Sequence, residues 1–422
     1  APVHTVGRGW QYSETFRKLA RVQGTNVYDE YWETHITSSL ADMNGDGVQD
    51  IIVGEQVPQS GGFWVYLGRL KETGRHRYAL EYGLPIRWEV SELDCVNDPV
   101  KAAYCPVRTT RSRIHNTIID DFYAFKDNYF PGEKYFQDAA QLTQSILDIN
   151  GDGLPDWIRR QCVDEDCWLD VALNNRKGFV GAQRWPLPVP YIEVRMGRSR
   201  TSNVTAAEVR ETVIGFLDIN GDGLPDIVDT SGWQPEEKVF LVYLNTGKGF
   251  DQKPIRWGSP LHTIDLQAGG TIGFSDNGAL SLDEESLFKK LGYIDGGLPS
   301  GKLEPIGSVI ELHDMNGDGL VDLAFQPGGL DPSARLVPIQ VYLNEGDGFE
   351  SKPRSWKMAR PLSLIAKITD PSRNMTDHVS LAMLADFNGD RRADYLEWNK
   401  KEEQWLWYPN EGTGFASPRP LG

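Results

Sequence analysis

At 422 residues the chain exceeds the single core of about 250 to 300 residues that one compact domain supports, unless its modules are added around an axis or along a stack. It carries 60 Asp and Glu against 43 Lys and Arg, a formal charge of −17, which argues against the concentrated basic face that nucleic acid requires. No apolar run reaches the roughly eighteen residues of a membrane-spanning helix, so no membrane span is expected.

The chain begins at Ala1-Pro-Val without the charged and apolar segments of a leader, as expected of a cytosolic chain lacking its Met or of a mature exported one. Residues 1–35 carry few periodic signals and read as an N-terminal arm or a closing strand. From Ile36 onward a repeat begins. A strand-length run, Ile36-Thr-Ser-Ser-Leu-Ala41, leads into Asp42-Met-Asn-Gly-Asp-Gly-Val-Gln-Asp50, and the β-branched run Ile51-Ile-Val53 follows. The same nine-residue loop returns at Asp148–Asp156, Asp218–Asp226, Asp314–Asp322 and, with Arg391 in place of its second glycine, Asp386–Asp394.

Such a loop suits a hard cation, which takes six to eight oxygens at about 2.3–2.6 Å, and calcium is the natural occupant. Side chains at positions 1, 3, 5 and 9 and the carbonyl at position 7 form the expected ligand set. It comprises Asp42, Asn44, Asp46, Val48 and Asp50; Asp148, Asn150, Asp152, Leu154 and Asp156; Asp218, Asn220, Asp222, Leu224 and Asp226; Asp314, Asn316, Asp318, Leu320 and Asp322; and Asp386, Asn388, Asp390, Arg392 and Asp394. Glycine at position 6 permits the positive φ of a sharp turn at Gly47, Gly153, Gly223 and Gly319. Four to five calcium ions are therefore expected, with the Arg391 loop weak or empty. An Asx-rich turn without metal is the alternative. An EF-hand would need a bidentate Glu at position 12 and flanking helices; that position holds Val53, Arg159, Asp229, Phe325 and Glu397, and the flanks read as strands. Setting aside the fifteen loop aspartates reduces the charge from −17 to −2, so the acidity is mostly ligand inventory.

A third strand ending in Asn and a Gly-Phe turn travels with the loop, as in Phe240-Leu-Val-Tyr-Leu-Asn-Thr-Gly-Lys-Gly-Phe250, and returns at Val171–Phe179, Val341–Phe349 and Trp407–Phe415. The first copy departs, with Trp64-Val-Tyr-Leu-Gly68. Trp88, Trp185, Trp257 and Trp356 mark a fourth, outer strand, and packing between sheets is the expected role of these tryptophans. The first aspartates of successive loops stand 106, 70, 96 and 72 residues apart, so the short intervals set the unit. The long ones hold insertions near 96–140 and 262–307, or repeats without the loop; Asp283-Glu-Glu-Ser-Leu-Phe-Lys-Lys290 reads as a short helix inside the second. Cys95 with Cys105 and Cys162 with Cys167 form two local pairs, read as disulfides rather than zinc ligands, with free buried thiols as the alternative.

Four antiparallel strands per repeat define an all-β fold, expected to be a β-propeller over 36–422 with five blades legible and seven in all. At this point the motifs Asp-Ile-Asn-Gly-Asp-Gly-Leu-Pro-Asp and Val-Tyr-Leu-Asn-Thr-Gly-Lys-Gly-Phe resemble propellers of FG-GAP and VCBS-type repeats, as in integrin α-subunit heads and fungal propeller lectins. In wording they are most similar to bacterial secreted proteins of the toxin-complex and Rhs type. The resemblance implies a calcium-stabilised extracellular or cell-surface propeller that binds a glycan or a protein surface, with self-assembly a variant.

Signals for chemistry are sparse: no G-x-S-x-G, H-E-x-x-H or P-loop occurs, and His313 and the pair Asp120-Asp121 read as packing and turn residues. A propeller-framed polysaccharide lyase or hydrolase is the alternative function. Asn203-Val-Thr205 and Asn374-Met-Thr376 match the glycosylation sequon.

Overall fold

A computed structural model describes residues 12–21, 28–57, 62–74, 77–90, 96–98, 102–104, 108–114, 135–163, 166–201, 206–230, 236–261, 279–280, 302–308, 310–326, 338–358, 362–370, 375–399, 402 and 404–421. Cys95, Cys105, the helix expected near residue 283, Asp120, Asp121, the sequon Asn203-Val-Thr205 and Asn374 of the second sequon lie outside these residues.

The described secondary structure is strand throughout, and five repeats share one plan of four antiparallel strands. In the third repeat Ala206–Leu217, Asp226–Asp229, Val239–Tyr243 and Ile255–Gly258 pair in sequence order. The fourth repeat is the most compact, with Ile310–His313, Asp322–Phe325, Ile339–Tyr342 and Arg354–Trp356 forming a sheet of their own. Each acidic loop joins a first strand to a second, as its flanking apolar runs indicate. The first strands of the first three repeats continue upstream of their sheets: Tyr28–Ala41 pairs with Tyr12–Arg21, Tyr135–Leu147 with Arg108–Ile114, and Ala206–Leu217 with Ile192–Thr201. These hairpins pair with one another to make a second, curled sheet, a half-barrel, beside the repeats.

Consecutive repeats bury one type of interface four times. The upstream repeat contributes loop position 2, the second residue after the loop, and its fourth-strand tryptophan; the downstream repeat contributes the first residue after its loop and its Gly-Phe phenylalanine. Between the third and fourth repeats these are Ile219, Val228 and Trp257 against Leu323 and Phe349. Between the fourth and fifth they are Met315, Ala324 and Trp356 against Tyr395 and Phe415, with the Trp356 and Phe415 rings 5.3 Å apart edge-to-face. Trp88, Trp185, Trp257 and Trp356 are at most 2% exposed, which places all four between sheets as expected of packing residues. Backbone contact seals the seam: Phe349 N–H donates to Gly258 O at 2.8 Å, and Gly178-Phe179 runs parallel to Glu89-Val90.

Trp257 fills the centre of one such interface, so Trp257→Ala is expected to cost about 3–5 kcal/mol in denaturant unfolding. A loss below about 1 kcal/mol would show that the seam is not packed this way.

Candidate metal centre

Each loop is wound by its own short polar side chains. Asp42 Oδ1 accepts the N–H groups of Gly45 and Asp46, and its Oδ2 accepts that of Gly47 at 2.7 Å. Asn44 Oδ1 accepts the Asp46 N–H, and Asp46 Oδ1 accepts the Val48 N–H, two successive Asx turns. The other loops repeat this pattern with distances of 2.6–3.2 Å. One atom breaks it. Asp218 Oδ1 is buried and has no hydrogen-bond partner, whereas the corresponding oxygen elsewhere accepts the position-4 N–H.

The aspartate at position 9 is used differently from the other two. Asp50, Asp156, Asp226, Asp322 and Asp394 are fully buried. In the four intact loops one carboxylate oxygen accepts the N–H of loop position 2, as from Met315 to Asp322 at 2.9 Å. In all five the other accepts the N–H of a residue at or two past the end of the third strand, namely Gly68, Asn174, Asn245, Asn344 and Asn410, at 2.7–2.8 Å. Among the described residues no three His, Cys, Asp or Glu side chains form a ready-made metal site. Burial pushes Asp156, Asp226 and Asp322 up to about 7; the acids at positions 1 and 5 add to the effect and the two backbone N–H bonds oppose it. Burial raises Asp50 in the same way. A desolvated carboxylate facing two further acids lacks a positive charge, and a divalent cation would supply one. Together with the bare Asp218 Oδ1, this donor set fits a cation held by oxygen.

The asparagine that ends each third strand, a turn former by sequence, ties neighbouring loops together. Asn174 Nδ2 donates to Met43 O in the first loop and to Pro155 O in its own. Asn245 spans Ile149 O and Pro225 O, Asn344 spans Ile219 O and Val321 O, and Asn410 spans Met315 O and Ala393 O. Glycine at position 4 fits the same stacking. A Cβ on Gly151 would come within 2.7 Å of Leu224, and one on Gly221 within 2.7 Å of Leu320. Loops one to five are therefore stacked in sequence order. The first meets the second and the third meets the fourth directly, through Asn174 and Asn344.

The fifth loop carries its own cation. Arg391 adopts φ 71° at the glycine position. At position 7, the Arg392 stem packs on Gly317 while its Nη2 lies 2.7 Å from Asp390 Oδ2. Although burial works against it, the Arg392 N–H, the Arg392 guanidinium and the Asn388 amide together hold Asp390 below its usual range. The side chain that pairs with an acid of this loop is thus that of Arg392, a position expected to offer only its carbonyl.

Cys162 and Cys167 are disulfide-bonded across directly paired positions of a hairpin. His313 Nε2 lies 2.8 Å from Glu311 Oε2, a contact within its own strand. Among the described residues no helix is long and apolar enough to cross a membrane. No protein-family model matches the chain, and no curated protein matches it.

With chelator present, the three position-9 aspartates bind protons more tightly folded, at about 7, than at their ordinary 3.8. The stability this contributes is complete below about 3.8 and is lost as pH rises through about 7. The melting temperature of the chelated chain is therefore expected to rise by at least about 5 °C between pH 8 and pH 5. A flat or falling profile would contradict the assignment.

Proposed function

We propose that the chain is a secreted, calcium-stabilised binding scaffold of the propeller kind, in which the five stacked repeats are five of seven blades and present their connecting segments to a glycan or protein surface. The observation that carries the reading is the stack of acidic loops, in which buried carboxylates lack a compensating charge and Asp218 Oδ1 lacks any partner. Calcium would be held in the four intact loops by the side chains at positions 1, 3 and 5, the carbonyl at 7 and the free lone pairs of the aspartate at 9. In the fifth loop Arg392 takes the place of the ion. The recurrent polar residues are employed in turning the loops and linking the repeats, which favours binding over catalysis.

Equilibrium dialysis is expected to find four calcium ions per chain, and five in an Arg391→Gly, Arg392→Leu double variant. Fewer than three in the unaltered chain would refute the metal assignment. On a glycan array run beside acidic polysaccharides, calcium-dependent retention without unsaturated product supports a binding scaffold. Release of product would make the chain a lyase.

A further inference from the structure

The outward face of the fifth repeat is the same face that the next repeat covers in each of the first four. Loop position 2 reports this directly. Met43, Ile149, Ile219 and Met315 are 0–1% exposed because the following repeat packs on them, whereas Phe387 is 51% exposed. Around it the fifth repeat is apolar but half open: Trp405 and Trp407 are only partly buried, where the third strand of the fourth repeat buries Ile339 and Val341 completely. Gly389 completes the pattern. A Cβ there would meet nothing within 4 Å, whereas the matching Gly45, Gly151, Gly221 and Gly317 each lie against position 7 of the following loop.

The other end of the stack does not supply the missing half. The first repeat has Gly68 where later repeats carry the linking asparagine, and a Cβ at Gly68 would come within 2.5 Å of Gln49 O, so no side chain can be restored there. It also lacks the Gly-Phe turn. A stacked sugar is a poor occupant as well, because Trp407 has Phe387 5.7 Å from one side and the Arg419 guanidinium 5.4 Å from its ring centre.

We propose that the fifth repeat is an acceptor for a further repeat of the same kind, which places a third-strand asparagine on the Phe387 carbonyl, an aliphatic loop residue against Gly389 and a Gly-Phe turn beside Trp405. The four internal interfaces define this chemistry; Asn410 Nδ2 on Met315 O at 2.9 Å is the nearest example. The assignment rests on the scaffold reading only in its choice of a protein partner and needs no bound ion, so failed calcium binding would leave it standing.

The test appends a copy of residues 310–358, the repeat whose sheet is closed on itself, after residue 422 of the full chain through a flexible linker that stands in for the local concentration of a partner. With Phe387→Cys as reporter, maleimide labelling is expected to slow at least tenfold in the extended chain, and Asn344→Ala in the appended copy alone is expected to restore fast labelling. A copy of residues 135–189 appended instead guards against misfolding of the first insert. Unchanged labelling with both inserts would overturn the proposal. Sedimentation velocity of the unextended chain is expected to show a monomer; self-association abolished by Phe387→Asp would put a second copy on this face and overturn the proposal.

Discussion

The described repeats depend on one pairing at the end of each third strand: a buried aspartate accepts the strand-end N–H, and in four repeats the asparagine at that position reaches with its carboxamide into the preceding loop. Both groups are expensive to bury unpaired, at roughly 1–3 kcal/mol for a neutral polar group and more for a charge. Their partners are backbone atoms at fixed places in two loops, so satisfying them fixes the offset between neighbouring sheets. Apolar packing of the Trp and Phe side chains supplies the bulk of the attraction, and the polar pair supplies the register.

This arrangement explains why an acid at position 9 recurs in a fully buried place. A carboxylate has enough lone pairs to hold two backbone N–H groups and still face the loop. Asp394 shows the tolerance of the scheme, since its Oδ2 accepts the Trp407 indole N–H at 2.8 Å where the four intact loops use the position-2 amide. In the proposed scheme a cation offsets the acids of the intact loops, while in the fifth Arg392 pairs with Asp390.

The strands were legible in the sequence because apolar runs of strand length flank every acidic loop, and the buried role of the four tryptophans followed from the fixed place of three of them after a Gly-Phe turn, with Trp88 in the matching place of the first repeat. The inward turn of position 9 was not legible. An aspartate at the end of a ligand motif reads as a ligand, and nothing local distinguishes one that accepts two backbone N–H bonds. Asn344 is separated from Ile219 by 125 residues, and a turn-forming asparagine carries no sign of so distant a partner. Position 4 was hidden for a related reason: glycine there looks like turn chemistry, while the Leu224 and Leu320 side chains that press on Gly151 and Gly221 come from the next loop. Arg391 drew notice for breaking the glycine pattern, yet the neighbouring Arg392 makes the ion pair.

The central claim is that each strand-end asparagine holds the loop of the preceding repeat across a long stretch of sequence. Hydrogen exchange of Asn344→Ala, read by mass spectrometry in excess calcium, tests it most directly. The expected result is faster exchange in residues 218–226, far upstream, together with residues 314–322, while residues 42–50 keep their protection. Loss of protection confined to the neighbourhood of residue 344 would contradict the account.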